Sequence, residues 1–235
     1  MRSISIGALI IGLLVGVPAQ AAETTAGVDL VSAYVFRGVT YNDGPCLQPS
    51  LETSAGAFTF NVWANFDLND YEPVQSGDFS EVDFTLSYGA TLGAAELSLG
   101  VMEFLFPEGG PDTNTGELYA SADIPVAAGI GASAYLGYDF VVVKDLYASV
   151  GLSYDIPIEV PTLSVSFMAG YAGDDAAAGG TAGLHEYAAT IEGAYPFSEA
   201  VELGGFVTYT GGLDDEVLPE QDVEVFGGLK VRCAF

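Results

Sequence analysis

The stretch FTFNVWANFDL, Phe58–Leu68, alternates apolar side chains with mostly polar ones. Its even positions are all apolar, whereas its odd positions include Thr59 and Asn61. Successive side chains of a β-strand point to opposite faces, so a period of two predicts a strand with one apolar face. The same pattern recurs over residues 81–92 and 146–156. We therefore expect an all-β fold.

The period-two alternation along the sequence predicts about twelve strands. We expect them to form a transmembrane antiparallel up-and-down β-barrel. Most of the runs have the length of about 9 to 11 residues that a tilted strand needs to cross a membrane. The predicted strands lie near residues 29–40, 47–53, 57–68, 81–92, 96–106, 117–124, 130–141, 145–156, 162–172, 185–195, 201–210 and 221–235.

The connections between these strands alternate in length. Those after even-numbered strands are short, and most of the others are long and rich in Gly, Asp and Asn, the connection at 142–144 being an exception. An even strand number, short turns at one end and long loops at the other are typical of a bacterial outer-membrane barrel with both termini in the periplasm. A soluble β-sandwich or jelly roll is the alternative, because its strands alternate too.

Both ends of the chain carry signals of export. Arg2, an apolar run over 4–17 and the A-x-A site at 19–21 predict a cleaved signal peptide at 1–21, which leaves 22–235 as a single barrel domain. The run is too short to cross a bilayer as a helix, which needs about 20 residues. The last strand ends at Phe235 and resembles the C-terminal signal that the barrel-assembly machinery recognises in outer-membrane proteins.

The charge excludes several functions. The chain has 5 basic and 32 acidic residues, a formal net charge of −27, so neither nucleic acid nor an anionic lipid surface is an expected partner.

There is no CxxC, no His-metal spacing and no phosphate loop, so no cofactor is expected. The one histidine, His185, has no identifiable nucleophile beside it, and we expect no enzyme. Cys46 and Cys233 would lie at opposite rims and should not form a disulfide.

Charged residues on the polar strand faces are the candidate pore lining. In SAYVFRG, Ser32–Gly38, alternation directs Arg37 to the lumen and Tyr34 and Phe36 to the lipid, because an arginine facing lipid would cost about 2–4 kcal/mol. The candidate pore-lining residues are Arg37, Glu81, Asp83, Glu117, Asp139, Asp155, Glu192, Glu224, Lys230 and Arg232.

Two functions fit this barrel. Small residues on the polar faces leave room for an aqueous path, and an acidic lining would make it a cation-preferring porin for small hydrophilic solutes or ions. The alternative is a closed outer-membrane barrel that acts as a structural or binding protein through its acidic long loops.

The first part of the chain resembles the TorF-type porin family, also catalogued as Gcw_chp-type uncharacterised bacterial outer-membrane proteins. The resemblance covers about residues 29–90, in SAYVFRGVTYNDGPCLQPSLE, FTFNVWANFDLND and EVDFTLSYG. The matching positions are Ser32, Tyr34, Phe36, Arg37, Gly38, Asp43, Gly44, Gln48, Trp63, Glu81, Asp83 and Tyr88. This resemblance implies an outer-membrane barrel and a porin, without a substrate.

Overall fold

The structure, a computed structural model, describes residues 22–71 and 75–235. The predicted signal peptide lies outside the described residues. The barrel strands are β1 (Glu23–Val31), β4 (Cys46–Ala55), β5 (Phe58–Asp67), β6 (Phe79–Leu92), β7 (Ala95–Leu105), β8 (Thr115–Ala127), β9 (Ile130–Asp139), β10 (Leu146–Ile156), β11 (Thr162–Ala172), β12 (Gly183–Pro196), β13 (Val201–Gly212) and β14 (Val225–Ala234). Strands β2 (Tyr34–Phe36) and β3 (Val39–Asn42) form a separate hairpin.

The sheet closes between the first strand and the last strand. Leu30 of β1 lies opposite Leu229 of β14 on one side and Leu47 of β4 on the other. Every barrel strand therefore has two antiparallel neighbours, and the closed ladder leaves no free edge. This confirms the predicted all-β closed barrel of twelve strands. Within the described residues, no helix has the length and apolarity needed to cross a membrane.

The outer surface of the barrel is apolar because the alternation of each strand directs large hydrophobic side chains outwards. Leu99 is 61% exposed, Val150 is 64% exposed and Leu229 is 69% exposed. Their neighbours in sequence, such as Ser98 and Ser149, are less exposed and belong to the opposite, inner face. The period-two pattern of the sequence thus separates an apolar exterior from a mostly polar lumen.

The prediction of a first strand over 29–40 is wrong. The barrel strand β1 begins six positions earlier and ends at Val31, and the chain then folds back as the β2–β3 hairpin. Arg37 and Gly38 at its tip have φ angles of 50° and 76°, the positive values that a tight two-residue hairpin turn requires. As a result Tyr34 is only 7% exposed, inside the molecule, and does not face lipid. The last strand also starts later than predicted, at Val225.

Cys46 and Cys233 are both free, as expected from their places at opposite ends of the barrel wall. Cys46 is fully buried, with a relative exposure of 0%, whereas Cys233 is partly accessible.

We expect a maleimide reagent to leave Cys46 unmodified in the folded, detergent-solubilised protein, because its sulfur cannot contact the reagent. Denaturation in urea should expose both thiols. Mass spectrometry of the two cysteine peptides checks this, and native labelling of Cys46 would contradict the packing described.

Candidate functional site in the barrel lumen

The β2–β3 hairpin lies across the lumen and contacts distant parts of the wall. The Tyr34 hydroxyl donates to Oε2 of Glu81 on β6 at 2.7 Å. The Arg37 guanidinium donates to both carboxylate oxygens of Glu117 on β8, at 2.8 and 2.9 Å. A Cβ added at Gly38 would lie 2.7 Å from Cβ of Glu186 on β12, so this glycine permits close contact with the far wall. The hairpin therefore spans the barrel near its long-loop end.

Arg37 is held by aromatic rings as well as by its ion pair. Its guanidinium carbon lies 4.0 Å from the ring centre of Tyr147, 4.8 Å from Phe36 and 5.7 Å from Tyr135. The Tyr135 hydroxyl donates to Glu117, which orients the carboxylate towards Arg37. Arg37 and Glu117 both lose water when they are buried. Their bidentate hydrogen bonds and the aromatic rings around Arg37 replace that water and offset the cost of burying the two charges.

Arg37 separates two cavities. The first, of about 210 Å³, opens towards the long loops and includes Phe106 and Val142 in its lining. The second, of about 390 Å³, lies deeper and is lined by Met102 and Met168 among others. Arg37 lines both, together with Phe36 and Tyr147. We call this partition the constriction, defined by Arg37, Phe36, Glu117, Tyr135 and Tyr147.

The long loop between β13 and β14 covers the hairpin from outside. The backbone N–H of Thr40 donates to Oε1 of Gln221 at 3.0 Å. The Tyr71 hydroxyl donates to Asp222 at 2.7 Å, and this hydrogen bond to a carboxylate raises the pKa of Tyr71 to about 12. The first contact joins the hairpin to the loop before β14, and the second joins that loop to the connection between β5 and β6, so the hairpin is held from above as well as by the wall.

The predicted residues Glu81 and Asp83 project inwards from β6 next to the hairpin. Glu81 is 3% exposed and Asp83 is 9% exposed. Glu81 accepts the hydrogen bond from Tyr34, whereas Oδ1 of Asp83 has no partner among the described residues. Both carboxyl groups face the interior of the barrel.

Asp139 also faces inwards, but its carboxylate caps a turn. Its Oδ1 accepts hydrogen bonds from the backbone N–H groups of 141–144 at 3.0 to 3.3 Å, and Thr115 donates to its other oxygen. The charge of Asp139 is thus compensated by backbone dipoles. Its place fits a structural role in the β9–β10 connection.

Basic residues of the last strand pair with carboxylates in the short-turn half of the lumen. Lys230 Nζ lies 2.8 Å from Oε1 of Glu192, and Arg232 forms a bidentate pair with Asp29, whose Nη2–Oδ2 distance is 2.9 Å. The structure thus brings the predicted Glu192, Lys230 and Arg232 to the lumen as ion pairs. Glu224 lies before β14, exposed in the loop, and is separated from these pairs.

A third cavity, of about 530 Å³, opens at the short-turn end and is lined by Glu96, Asp123 and the predicted Asp155. Glu96 and Asp123 lie directly opposite each other on β7 and β8. Within residues 22–71 and 75–235 none of the three has an ion-pair partner. We call Glu96, Asp123 and Asp155 the lower acidic mouth.

Sequence reasoning missed Tyr135, Tyr147 and Glu186 as lumen residues, and it did not include Glu96 among the pore-lining candidates. All four stand on the polar face of a predicted strand, so the period of two was the available signal. Tyr147 donates to Glu186 on β12, and both tyrosine rings contact Arg37 of the hairpin; a strand-by-strand pattern cannot place such contacts between elements that are not neighbours. Among the described residues, no group of three or more His, Cys, Asp or Glu side chains is arranged to hold a metal ion.

The family is established by a match over residues 16–190 to the model described as "Bacterial protein of unknown function (Gcw_chp)". The chain belongs to the Gcw_chp family. This confirms the Gcw_chp part of the resemblance seen in the sequence, while the TorF-type name stays a resemblance. No curated protein is significantly similar to this Gcw_chp chain in sequence.

Solved structures share the barrel fold of this Gcw_chp protein at low identity. The KdgM porin in complex with disordered oligogalacturonate is 9% identical, with 91% of this chain and 99% of that chain covered and a TM-score of 0.56. The NanC porin is 10% identical, with 91% and 98% covered and a TM-score of 0.53. The COG4313 outer membrane channel from Pseudomonas putida F1 is 12% identical, with 93% and 97% covered and a TM-score of 0.53.

Asp145, at the wall of the outer cavity, fixes the neighbouring long loop. Its carboxylate accepts the N–H groups of Leu146 at 2.7 Å and of Asp175 at 2.8 Å. These backbone hydrogen bonds lower the pKa of Asp145 below its ordinary value. The contribution of the ionised Asp145 carboxylate to the stability of the folded protein is therefore fully present above the unfolded-state pKa of about 3.9. It is lost as the pH falls through the lower, folded-state pKa.

We expect the backbone amide of Asp175 to exchange faster in D145N than in the wild type at pH 7, because the variant lacks the charged acceptor. The two proteins should converge only as the pH falls through the lowered, folded-state pKa of Asp145, where the wild-type carboxyl is protonated. Hydrogen exchange, corrected for intrinsic rates, measures this, and D112N in another exposed loop is the control. Equal protection of Asp175 in D145N and wild type at pH 7 would refute the role of the carboxylate.

Proposed function

We propose that this protein is an outer-membrane channel for passive diffusion of small hydrophilic solutes or ions, and that it prefers cations. The main support is the charge of the lumen. Its three inward-facing basic residues, Arg37, Lys230 and Arg232, each pair with a carboxylate. The unpaired charges of the lower acidic mouth are therefore all negative, and such charges attract cations and repel anions at the entrance of a pore.

A bilayer position explains the outer surface. Contiguous apolar side chains cover the barrel exterior, and in water such a surface would promote aggregation. The closed ladder satisfies the backbone hydrogen bonds of the strands, as a lipid environment requires. Similarity in fold to porins agrees with this placement. We propose, further, that both termini lie in the periplasm and that the barrel-assembly machinery binds the strand ending at Phe235.

The KdgM structure contains oligogalacturonate, an acidic oligosaccharide. Acidic sugars do not suit the present lumen, because the carboxylates of the lower acidic mouth would repel them. For this chain we infer neutral or cationic solutes.

A closed barrel that acts through its loops is the second candidate. Val217 and Leu218 of the loop before β14 are 1% and 0% exposed, and the hairpin lies in the same half of the lumen. Such packing would close the barrel if neither segment moves. Conductance separates the two candidates.

The refolded protein in a planar bilayer should show steady channels whose reversal potential in a KCl gradient indicates cation preference. We expect E96Q and D123N each to lower the cation-to-anion permeability ratio by about two- to fivefold, because a unit charge about 4 Å away in water contributes ~1 kcal/mol. D112N, in an exposed long loop, is the matched control. Absence of channels from protein shown to be folded by heat-modifiable gel mobility would favour the closed barrel.

Lipid contact is tested by two adjacent positions in the middle of β10. V150R places an arginine on the apolar exterior and should destabilise the barrel in lipid vesicles by about 2–4 kcal/mol. S149R places the same side chain in the lumen, where water and carboxylates are available, and should cost much less. Urea titrations of both variants in vesicles measure the difference, and equal destabilisation would argue against a bilayer around this face.

A further inference from the structure

The wall part of the constriction forms a receptor that does not depend on the hairpin. Glu117, Tyr135 and Tyr147 belong to β8, β9 and β10. The Tyr135 hydroxyl orients Glu117, and the Tyr147 hydroxyl donates to Glu186. The Glu117 carboxylate and the two tyrosine rings would therefore remain in place if the hairpin moved away.

The geometry of this receptor favours one chemical group. Both oxygens of Glu117 accept parallel N–H donors from one planar group, at 2.8 and 2.9 Å, while the Tyr147 ring centre lies 4.0 Å from its central carbon. A guanidinium has this planar fork and stacks on aromatic rings, whereas an ammonium ion is a point charge without the fork. The receptor thus fits a guanidinium by shape as well as by charge.

Arg37 remains accessible while it occupies the receptor. Its side chain is 22% exposed, and both flanking cavities reach it. A ligand can therefore approach Arg37 from either side.

We propose that Arg37 is a built-in ligand of a guanidinium-binding site, and that small guanidinium compounds displace it and widen the path between the two cavities. This inference rests on the proposed channel function for its effect on conduction, but the binding site itself does not. A tethered ligand acts at an effective concentration of about millimolar. Displacement in the wild type should therefore require ~millimolar or higher concentrations of the free compound.

The binding test uses methylguanidinium as the probe and isothermal titration of the refolded protein in detergent. The R37A variant lacks the guanidinium that occupies the receptor, so it should bind methylguanidinium measurably. R37A/E117Q lacks the carboxylate and should bind the probe at least about tenfold more weakly, because it loses the charge-assisted hydrogen bonds to Glu117. Heat-modifiable gel mobility confirms that each variant is folded. Equal binding by R37A and R37A/E117Q would overturn the proposed site.

The conduction test compares methylguanidinium with sodium at equal ionic strength. Single-channel conductance of the wild type should rise as the probe replaces sodium, and R37A should already show the higher conductance in sodium alone. R37K keeps the charge but loses the fork, so the probe should act on it at lower concentration. If R37A binds the probe while no variant conducts, the channel function fails and the binding site stands. If conductance is present but the probe does not change it in the wild type, displacement of Arg37 is refuted.

Discussion

The ion pair between Arg37 and Glu117 is the interaction on which the organisation of the lumen depends. It fixes the tip of the hairpin against the opposite wall, and the other hairpin contacts follow from that position. Gly137, beside Glu117 on the next strand, has no side chain, and a Cβ there would collide with the carboxylate. The wall is thus shaped to receive the pair, and the two cavities exist as separate spaces because the pair lies between them.

Charge is distributed unevenly around the barrel. The last strand carries Lys230 and Arg232, each neutralised by a nearby carboxylate. The opposite side, from β6 to β10, has an inner face of carboxylates, tyrosines and small residues, to which only Arg37 brings a positive charge. A solute that follows the lumen would meet unpaired negative charge at the short-turn end and a compensated pair at the constriction. The charges that would attract a cation and the constriction that would limit its passage therefore lie at different depths in the lumen.

The closed barrel could be predicted from the sequence because its determinants are local. The alternation in Phe58–Leu68 fixes which side chains face outwards, and the alternation of short and long connections fixes the topology. The hairpin could not be predicted in this way, because Tyr34–Phe36 continue the same alternation as a barrel strand. The inward-facing Val31 and Val35 were the discordant signal. Val31 is 3% exposed, packed among Tyr34 and Cys46, because the hairpin covers it.

The candidate lumen residues could be predicted as inward-facing side chains, but the groups that they bind could not. Alternation places Glu117 and Asp139 on the same polar side of their strands, yet one binds Arg37 and the other caps a turn. That difference depends on where the hairpin and the loop 140–145 lie in space. Such contacts join residues far apart in sequence, so a strand pattern carries no information about them.

Cross-linking of the hairpin to the far wall tests the inward position of the hairpin most directly. In a chain with C46A and C233S, the pair G38C and E186C should form a disulfide on mild oxidation, because a Cβ at position 38 would lie 2.7 Å from Cβ of Glu186 and small shifts reach disulfide geometry. The pair G38C and E192C, on the same inner face of β12 but about 20 Å deeper, should remain reduced. Non-reducing gels separate the two outcomes. Failure of the first pair to cross-link, or equal cross-linking of both, would contradict a hairpin fixed across the lumen.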